Sequence, residues 1–294
     1  MTKNKKNIEY IHSNFWEEIP EKNDAFSARI FRCAGYDVYG DLLGKASWIE
    51  YLYLLFHGEQ PSLDQARLLN DLAVALANPG PKDCSVQAAM SAGAGGSTLA
   101  AALMAALAAG AGGFGGAREV YETIILWQQC QHKLEMWQEH LGQWQNNICN
   151  EERTEYAFAA EADMESVWPP MDHPPGFNPY AYNCSTPVLR LLEHLSQIQE
   201  NKNLNWLKEH RLQLESIAGC PLDVSGVAGA ALADLSFDPQ QGELLYLLLR
   251  LPGAAAHALE QHWLGCSSFP FYRQGLNITN DPGPVEPNEK LPTT

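Results

Sequence analysis

The feature that most constrains this chain is an uncharged run of Ala and Gly, SVQAAMSAGAGGSTLAAALMAALAAGAGGFGGA, from Ser85 to Ala117. Small side chains let helix backbones approach each other closely, whereas paired glycines interrupt a helix. We therefore predict two or three helical segments that are broken at Gly95-Gly96 and end within 110–116. The hydroxyl pair Ser97-Thr98 is suited to cap the second segment.

The second helical segment carries an apolar stripe at helical spacing, formed by Leu99, Leu103, Met104 and Leu107. A membrane span is the alternative interpretation, since about 20 apolar residues suffice to cross a bilayer. Ala and Gly contribute little transfer free energy, however, and neither an aromatic belt nor a flanking Lys/Arg cluster accompanies the run. The sequence therefore favours a buried pair of helices in a soluble protein.

The charge balance limits the partners of the chain. Its 294 residues include 19 Lys and Arg against 35 Asp and Glu, a formal net charge of −16. This balance argues against nucleic acid and against an anionic membrane as the main partner. The seven cysteines are scattered without metal-ligand spacing, so they predict reduced thiols and no metal site. With no apolar signal segment at the start, we expect a cytoplasmic protein.

Helical periodicity continues along most of the remaining chain, and the predicted class is all-α. Residues 26–44 predict turns and short strands, and no segment alternates long enough to predict a strand of a sheet. Five prolines in 168–179 predict a loop between two lobes. The predicted helices lie at about 45–57, 62–77, 118–147, 187–199, 203–217, 221–235, 239–250 and 254–264.

Four sequence motifs now resemble, in the same order, motifs of the citrate synthase family, and especially of its shorter citryl-CoA-lyase-like members. They are GYDVYGDLLGKASWIEYLYLLFHGEQPS at 35–62, FGGA at 114–117, CPLDVSGVAGAAL at 220–232 and LLLRLPGAAAHALEQ at 247–261. The resemblance covers roughly residues 25–272. It implies a citrate synthase-like fold and a homodimer.

The resemblance also implies a division of the chain into two helical lobes with a cleft between them. The large lobe would comprise residues 1–175, completed by 256–276, and the small lobe residues 180–255. The remaining residues, 277–294, contain several prolines and little that is apolar, so they predict a disordered tail.

The chemistry implied by the resemblance is Claisen-type formation or cleavage of a C–C bond, or a rebuilt acyl transfer. The substrates would be an acyl thioester, carried by coenzyme A or by a carrier protein, and a di- or tricarboxylate, with no permanently bound cofactor. The alternatives are an inactive homologue that binds ligand or regulates, and an inactive partner in a heterodimer with an intact paralogue.

Two catalytic positions of the family are replaced in this sequence. The histidine of the family's HGGA motif, which hydrogen-bonds the enolate, corresponds to Phe114, and the aspartate that removes the α-proton corresponds to Ser225. Asp223 lies two residues earlier, about 200° away around a helix. Either it substitutes as the base or it caps the helix that follows.

The family's second histidine, which protonates the ketone, has two possible counterparts. Aligning PPMDHP with the family's loop places His173 there, but requires an insertion before the next helix. Aligning PGFNP requires almost no gap and places Asn178 there instead. Both residues therefore stay candidates for the catalytic role.

Three further residues are candidates for substrate binding. Arg250 stands at a family position that binds a carboxylate, although a helix-end cation is the alternative role. His257 occupies a family histidine position and is either a site residue or a packing residue. Another family arginine corresponds to Phe269, for which Arg273 is a displaced substitute.

Overall fold

The computed structural model of the protein describes residues 13–145, 173–198 and 202–269, and these residues are mainly helical. Their α-helices, numbered in chain order, are α1 (Trp48–His57), α2 (Leu63–Leu76), α3 (Cys84–Ala94), α4 (Leu99–Gly110), α5 (Ala117–Cys130), α6 (Leu134–Gln145), α7 (Thr186–Ser196), α8 (Lys202–Ala218), α9 (Val224–Asp234) and α10 (Pro239–Leu264). A short π-helix spans Val38–Leu42, and a 3₁₀ turn spans Cys266–Ser268.

A small antiparallel sheet precedes these helices, with strands β1 (Glu17–Glu21), β2 (Asp24–Cys33) and β3 (Tyr36–Asp37) in that order. The prediction that no segment forms a strand of a sheet was therefore wrong for residues 17–37. The first four residues of β2 are exposed on both faces, and Phe26 among them is fully exposed. It lacks the alternation of buried and exposed residues by which a strand is recognised, because backbone pairing rather than burial forms this ribbon.

The boundaries predicted within the Ala/Gly run are confirmed by α3 and α4. The hydroxyl of Thr98 caps α4 by accepting a hydrogen bond from Ala101 N. The predicted stripe is not the buried face, because the buried positions of α4 are Ala102, Ala106 and Gly110. Small residues on this face allow α4 to lie close to α3 and α10. The larger side chains Leu99, Met104 and Leu107 point outward instead, with exposures of 43%, 64% and 36%.

Two predicted helix boundaries differ from the structure. The helix predicted at 118–147 is broken between α5 and α6 at Gln131, whose φ is 49°. The two helices predicted at 239–250 and 254–264 are one helix, α10, which contains Pro252. The next amide, Gly253 N, donates to Ala77 O at 2.7 Å. This contact replaces part of the hydrogen bonding that a proline disturbs within a helix.

Helix α10 connects the parts of the fold that matter for the site. It packs against α2, α3, α4 and α5, while α9 packs against α5 and α8. The larger hydrophobic core lies among α1, α2 and α5 to α10, and a smaller core of mostly small residues joins α3, α4 and α10. Ser225 of α9 contacts Glu119 in the first turn of α5, and Arg250 in the middle of α10 contacts the turn before α5.

Some predictions fall outside the described residues, namely Arg273, the tail at 277–294 and residues 168–172 of the proline-rich loop. The proposed division into two lobes stays a prediction. Within the described ranges, none of the helices has both the length and the hydropathy that a membrane crossing requires.

Candidate active site

The buried carboxylate of Glu119 lies at the centre of the polar residues in this region. Its side chain is 2% exposed. Oε2 accepts a hydrogen bond from Gly115 N at 2.6 Å, and Oε1 accepts hydrogen bonds from Gly176 N at 2.9 Å and Ser225 Oγ at 2.7 Å. One side chain thus joins the FGGA turn, the loop before α7 and the first turn of α9.

Local sequence explains why this glutamate points back toward the FGGA turn. Gly116 is the N-cap of α5 and has no side chain with which to cap it, and Glu119 is the third residue of the helix. A glutamate at this position commonly reaches back to a free amide before the helix, and its charge favours the helix N-terminus. Glu119 was not among the site residues predicted from the sequence, although its spacing from FGGA was the signal that could have identified it.

His173 lies against the other side of this carboxylate. Its Nε2 atom is 3.6 Å from Glu119 Oε2, and the residue is 6% exposed. The ring of Phe114 meets the His173 ring edge to face at a centroid distance of 5.4 Å, and Tyr180 packs on Phe114 at 4.7 Å. Phe114 therefore contributes an apolar wall against His173.

The loop that carries His173 is pressed against the start of α9. A Cβ on Gly226 would lie 2.4 Å from Gly176 O, so a side chain at this position would collide with the loop backbone. Asp223 N donates to Gly176 O at 2.9 Å, and Asn178 N donates to Pro221 O at 2.8 Å. These contacts fix the loop on α9.

Asn178 takes part in the turn of this loop, where its Oδ1 atom accepts a hydrogen bond from Tyr180 N at 2.9 Å. The described contacts of the Glu119 carboxylate include His173 and not Asn178. Of the two candidates for the second family histidine, His173 is thus the one beside a buried carboxylate.

Asp223 is the N-cap residue of α9, but its carboxylate makes no capping hydrogen bond. Burial raises the pKa of Asp223, and repulsion from Glu119 adds to the increase. The Val224 amide and the charges of Arg250 and His173 act in the opposite direction. Asp223 thus interacts electrostatically with Glu119, His173 and Arg250. Its carboxylate is more basic than that of an exposed aspartate.

Arg250 is buried in the middle of α10 and is therefore not a helix-end cation. Its Nη1 donates to Gly115 O at 2.7 Å, and its Nη2 forms an ion pair with Asp83 Oδ2. The guanidinium also stacks over the Tyr246 ring at 4.7 Å. Asp83, the N-cap of α3, was not predicted from the sequence, because its partner lies 167 residues further along the chain.

His257 lies outside this cluster. Its Nε2 atom is 3.1 Å from Asn78 Oδ1, and its Nδ1 atom is 3.7 Å from Glu260. Seven residues of helix separate it from Arg250, which corresponds to roughly 10 Å along the axis. The substrate-binding role of His257 thus stays a prediction. Among the described residues, His, Cys, Asp and Glu form no group of three suited to a metal ion.

The cluster formed by Glu119, His173, Asp223 and Arg250, which we call the acid–base cluster, contains groups that can move a proton. Asp223 can accept one, and His173 can donate one while Glu119 holds its ring. Ser225 cannot serve as the base, because a hydroxyl is weakly basic and this one donates to Glu119.

Comparison with solved structures identifies the fold. The sequence matches no protein-family model and no curated protein sequence. The structure is similar to citryl-CoA lyase from Hydrogenobacter thermophilus, with a TM-score of 0.64 and 18% identity over 95% of this chain and 98% of that one.

It is also similar to ATP citrate lyase from Methanothrix soehngenii in complex with citrate and coenzyme A, with a TM-score of 0.63 and 16% identity, over 92% of this chain and 42% of that one. An ATP citrate lyase variant from Methanosaeta concilii in complex with (3S)-citryl-CoA gives the same values. The chain therefore has the citrate synthase-like fold that its four motifs predicted.

We predict that Glu119→Gln lowers the free energy of unfolding by about 1.5–3 kcal/mol, the range for hydrogen bonds to a charged group. Either orientation of the amide turns its NH₂ group toward a glycine N–H, that of Gly115 or of Gly176. Urea unfolding measures the loss.

The matched control is Glu122→Gln, one turn further along α5. Glu122 pairs with Arg118 at 3.5 Å with both side chains nearly half exposed, so its replacement should change stability by less than about 0.5 kcal/mol. Equal effects of the two substitutions would show that Glu119 does not hold this region together.

Proposed function

We propose that this protein acts on an acyl thioester, of coenzyme A or of a carrier protein, and forms or cleaves a C–C bond at its α-carbon. The observation that carries the proposal is the buried pair of Glu119 and His173 beside Asp223. The fold adds support, because the similar solved structures are citryl-CoA lyase and ATP citrate lyase, one of them in complex with citrate and coenzyme A.

The chemistry requires two groups that act together. An α-proton next to a thioester is only weakly acidic, so a base must remove it while a donor stabilises the enolate oxygen. Asp223 is the proposed base, and its raised pKa makes it a stronger one. His173 is the proposed donor to the thioester oxygen, replacing the donor that Phe114 cannot supply. Glu119 holds the imidazole ring in position.

This rebuilt arrangement differs from that of an ordinary citrate synthase. Phe114 offers no hydrogen bond, and Ser225 offers no base at the family's position. Each such group is worth about 10²–10⁴ in rate. We therefore expect no detectable synthesis of citrate from acetyl-CoA and oxaloacetate.

The second candidate function is that of an inactive homologue, which binds ligand or pairs with an intact paralogue. The observation in its favour is that several polar groups of the cluster are satisfied by one another. Ser225 bonds to Glu119, and Arg250 bonds to Asp83 and to Gly115 O. Such a homologue would bind a thioester without exchanging its α-protons, which distinguishes it from the enzyme.

We predict that the protein exchanges the methyl protons of acetyl-CoA with solvent D₂O and that Asp223→Asn slows the exchange by about 10²–10⁴. The rate should rise with pH through the raised pKa of Asp223, because only the ionised carboxylate accepts a proton. Proton NMR of the acetyl group, followed at several pH values, measures the exchange.

The control is Asp234→Asn, which alters another buried carboxylate. Asp234 caps α8 by accepting from Asn203 N and Leu204 N, and burial raises its pKa to about 6. Because Asp234 lies outside the acid–base cluster and asparagine also caps helices, exchange should stay unchanged. Binding of acetyl-CoA without Asp223-dependent exchange would favour the inactive homologue.

We also propose that the protein is a homodimer that buries the outward apolar face of α4. Sedimentation velocity should give a dimer for the natural protein and a monomer for Met104→Glu, since a charge opposes burial of this face. The control is Leu212→Glu, at another exposed apolar position on α8. A natural protein that sediments as a monomer would contradict the proposal.

A further inference from the structure

Two of the three guanidinium nitrogens of Arg250 are paired within the protein. Asp83 holds Nη2, the carbonyl of Gly115 holds Nη1, and Tyr246 covers one face of the guanidinium group. Arg250 is buried, and the side chain of Asp83 is largely so. The third nitrogen, Nε, is buried and makes no hydrogen bond to the described residues. A bidentate carboxylate needs Nη2, whether it binds through both Nη atoms or through Nε and Nη2, so it would have to displace Asp83.

The surrounding charges oppose such a ligand as well. Tyr246 is fully buried beside Arg250, and burial raises the pKa of its hydroxyl. The charges of Glu119, Asp223 and Asp83 raise it further, while Arg250 acts in the opposite direction. Three carboxylates therefore act on this region against one guanidinium, and an anionic ligand would add to the excess of negative charge.

The local role of Asp83 does not by itself require a carboxylate. Oδ1 alone caps α3, by accepting hydrogen bonds from the amide and hydroxyl of Ser85, and asparagine or serine would cap a helix equally well. The second oxygen and the negative charge serve the contact with Arg250. Asp83 thus has a function at Arg250 beyond capping.

We infer that Asp83 determines substrate specificity by filling the carboxylate position at Arg250, so that the thioester reacts with an uncharged aldehyde or ketone rather than with a di- or tricarboxylate. The inference rests on the proposed function and narrows its second substrate. Glu119, His173 and Asp223 supply the groups that the reaction needs, and Arg250 is paired with Asp83.

The reaction then balances without another reagent. Asp223 takes the α-proton, and the enolate carbon forms a bond to the carbonyl carbon of the aldehyde or ketone. The resulting alkoxide takes a proton from His173, which regains one from solvent as Asp223 releases its own. The product is a β-hydroxyacyl thioester, and the reverse sequence cleaves it.

The test titrates citrate into the natural protein and into Asp83→Asn by calorimetry at fixed ionic strength. Asparagine keeps the cap and removes the charge, so Arg250 becomes available. We expect citrate to bind Asp83→Asn about 10- to 100-fold more tightly than the natural protein, the ratio that corresponds to a hydrogen bond to a charged group. The double variant with Arg250→Gln should lose this gain.

Ser85→Ala is the matched control, because it alters the cap and leaves the ion pair in place. It should bind citrate as weakly as the natural protein does. If Asp83→Asn does not fold, Asp83→Ser replaces it. Citrate that binds the natural protein as tightly as the variant, or a folded variant without any gain, would overturn the inference.

The proposed function can fail separately from this inference. Proton exchange at acetyl-CoA tests Asp223 and His173 without a second substrate. If the natural protein does not exchange the protons of acetyl-CoA but Asp83→Asn gains citrate binding, the role of Asp83 stands and the catalytic proposal is wrong. If the natural protein exchanges these protons and also binds citrate tightly, the catalytic proposal stands and the role of Asp83 is wrong.

Discussion

The structure of this site depends on one buried carboxylate. A charge removed from water is costly unless hydrogen bonds and partners compensate for it. Glu119 obtains this compensation from two backbone amides and a hydroxyl, which come from three separate segments of the chain. The three segments stabilise the carboxylate, and the carboxylate in turn holds the three segments together. His173 is brought to its place beside Glu119 by the same loop that supplies Gly176 N.

Gly115 links this carboxylate to the second ionic pair of the site. Its amide donates to Glu119, and its carbonyl accepts from Arg250, whose other partner is Asp83 at the start of α3. A positive φ of 61° at Gly115, which few residues other than glycine adopt, belongs to this turn. The FGGA turn therefore couples the position of Glu119 to that of α10.

The sequence predicted those parts of the fold that local signals determine. Gly95-Gly96 and Thr98 identified the break and the cap within the Ala/Gly run, and the ordered motifs identified the fold. The acid–base cluster was harder to predict, because Glu119 meets Gly176 and Ser225 at separations of 57 and 106 residues. The path of α10 through Pro252 was missed for a similar reason, since the compensating acceptor is Ala77 O in a distant loop. A proline usually ends a helix, but here a tertiary hydrogen bond to Ala77 O accompanies a helix that continues through it.

The central claim is that Asp223 and His173 act together on a thioester while Asp83 keeps Arg250 occupied. A crystal structure with bound acetyl-CoA tests it most directly. The account predicts that the thioester oxygen lies within hydrogen-bonding distance of His173, that the methyl carbon faces Asp223, and that the ion pair of Asp83 with Arg250 persists. An acetyl group bound away from both His173 and Asp223 would contradict it.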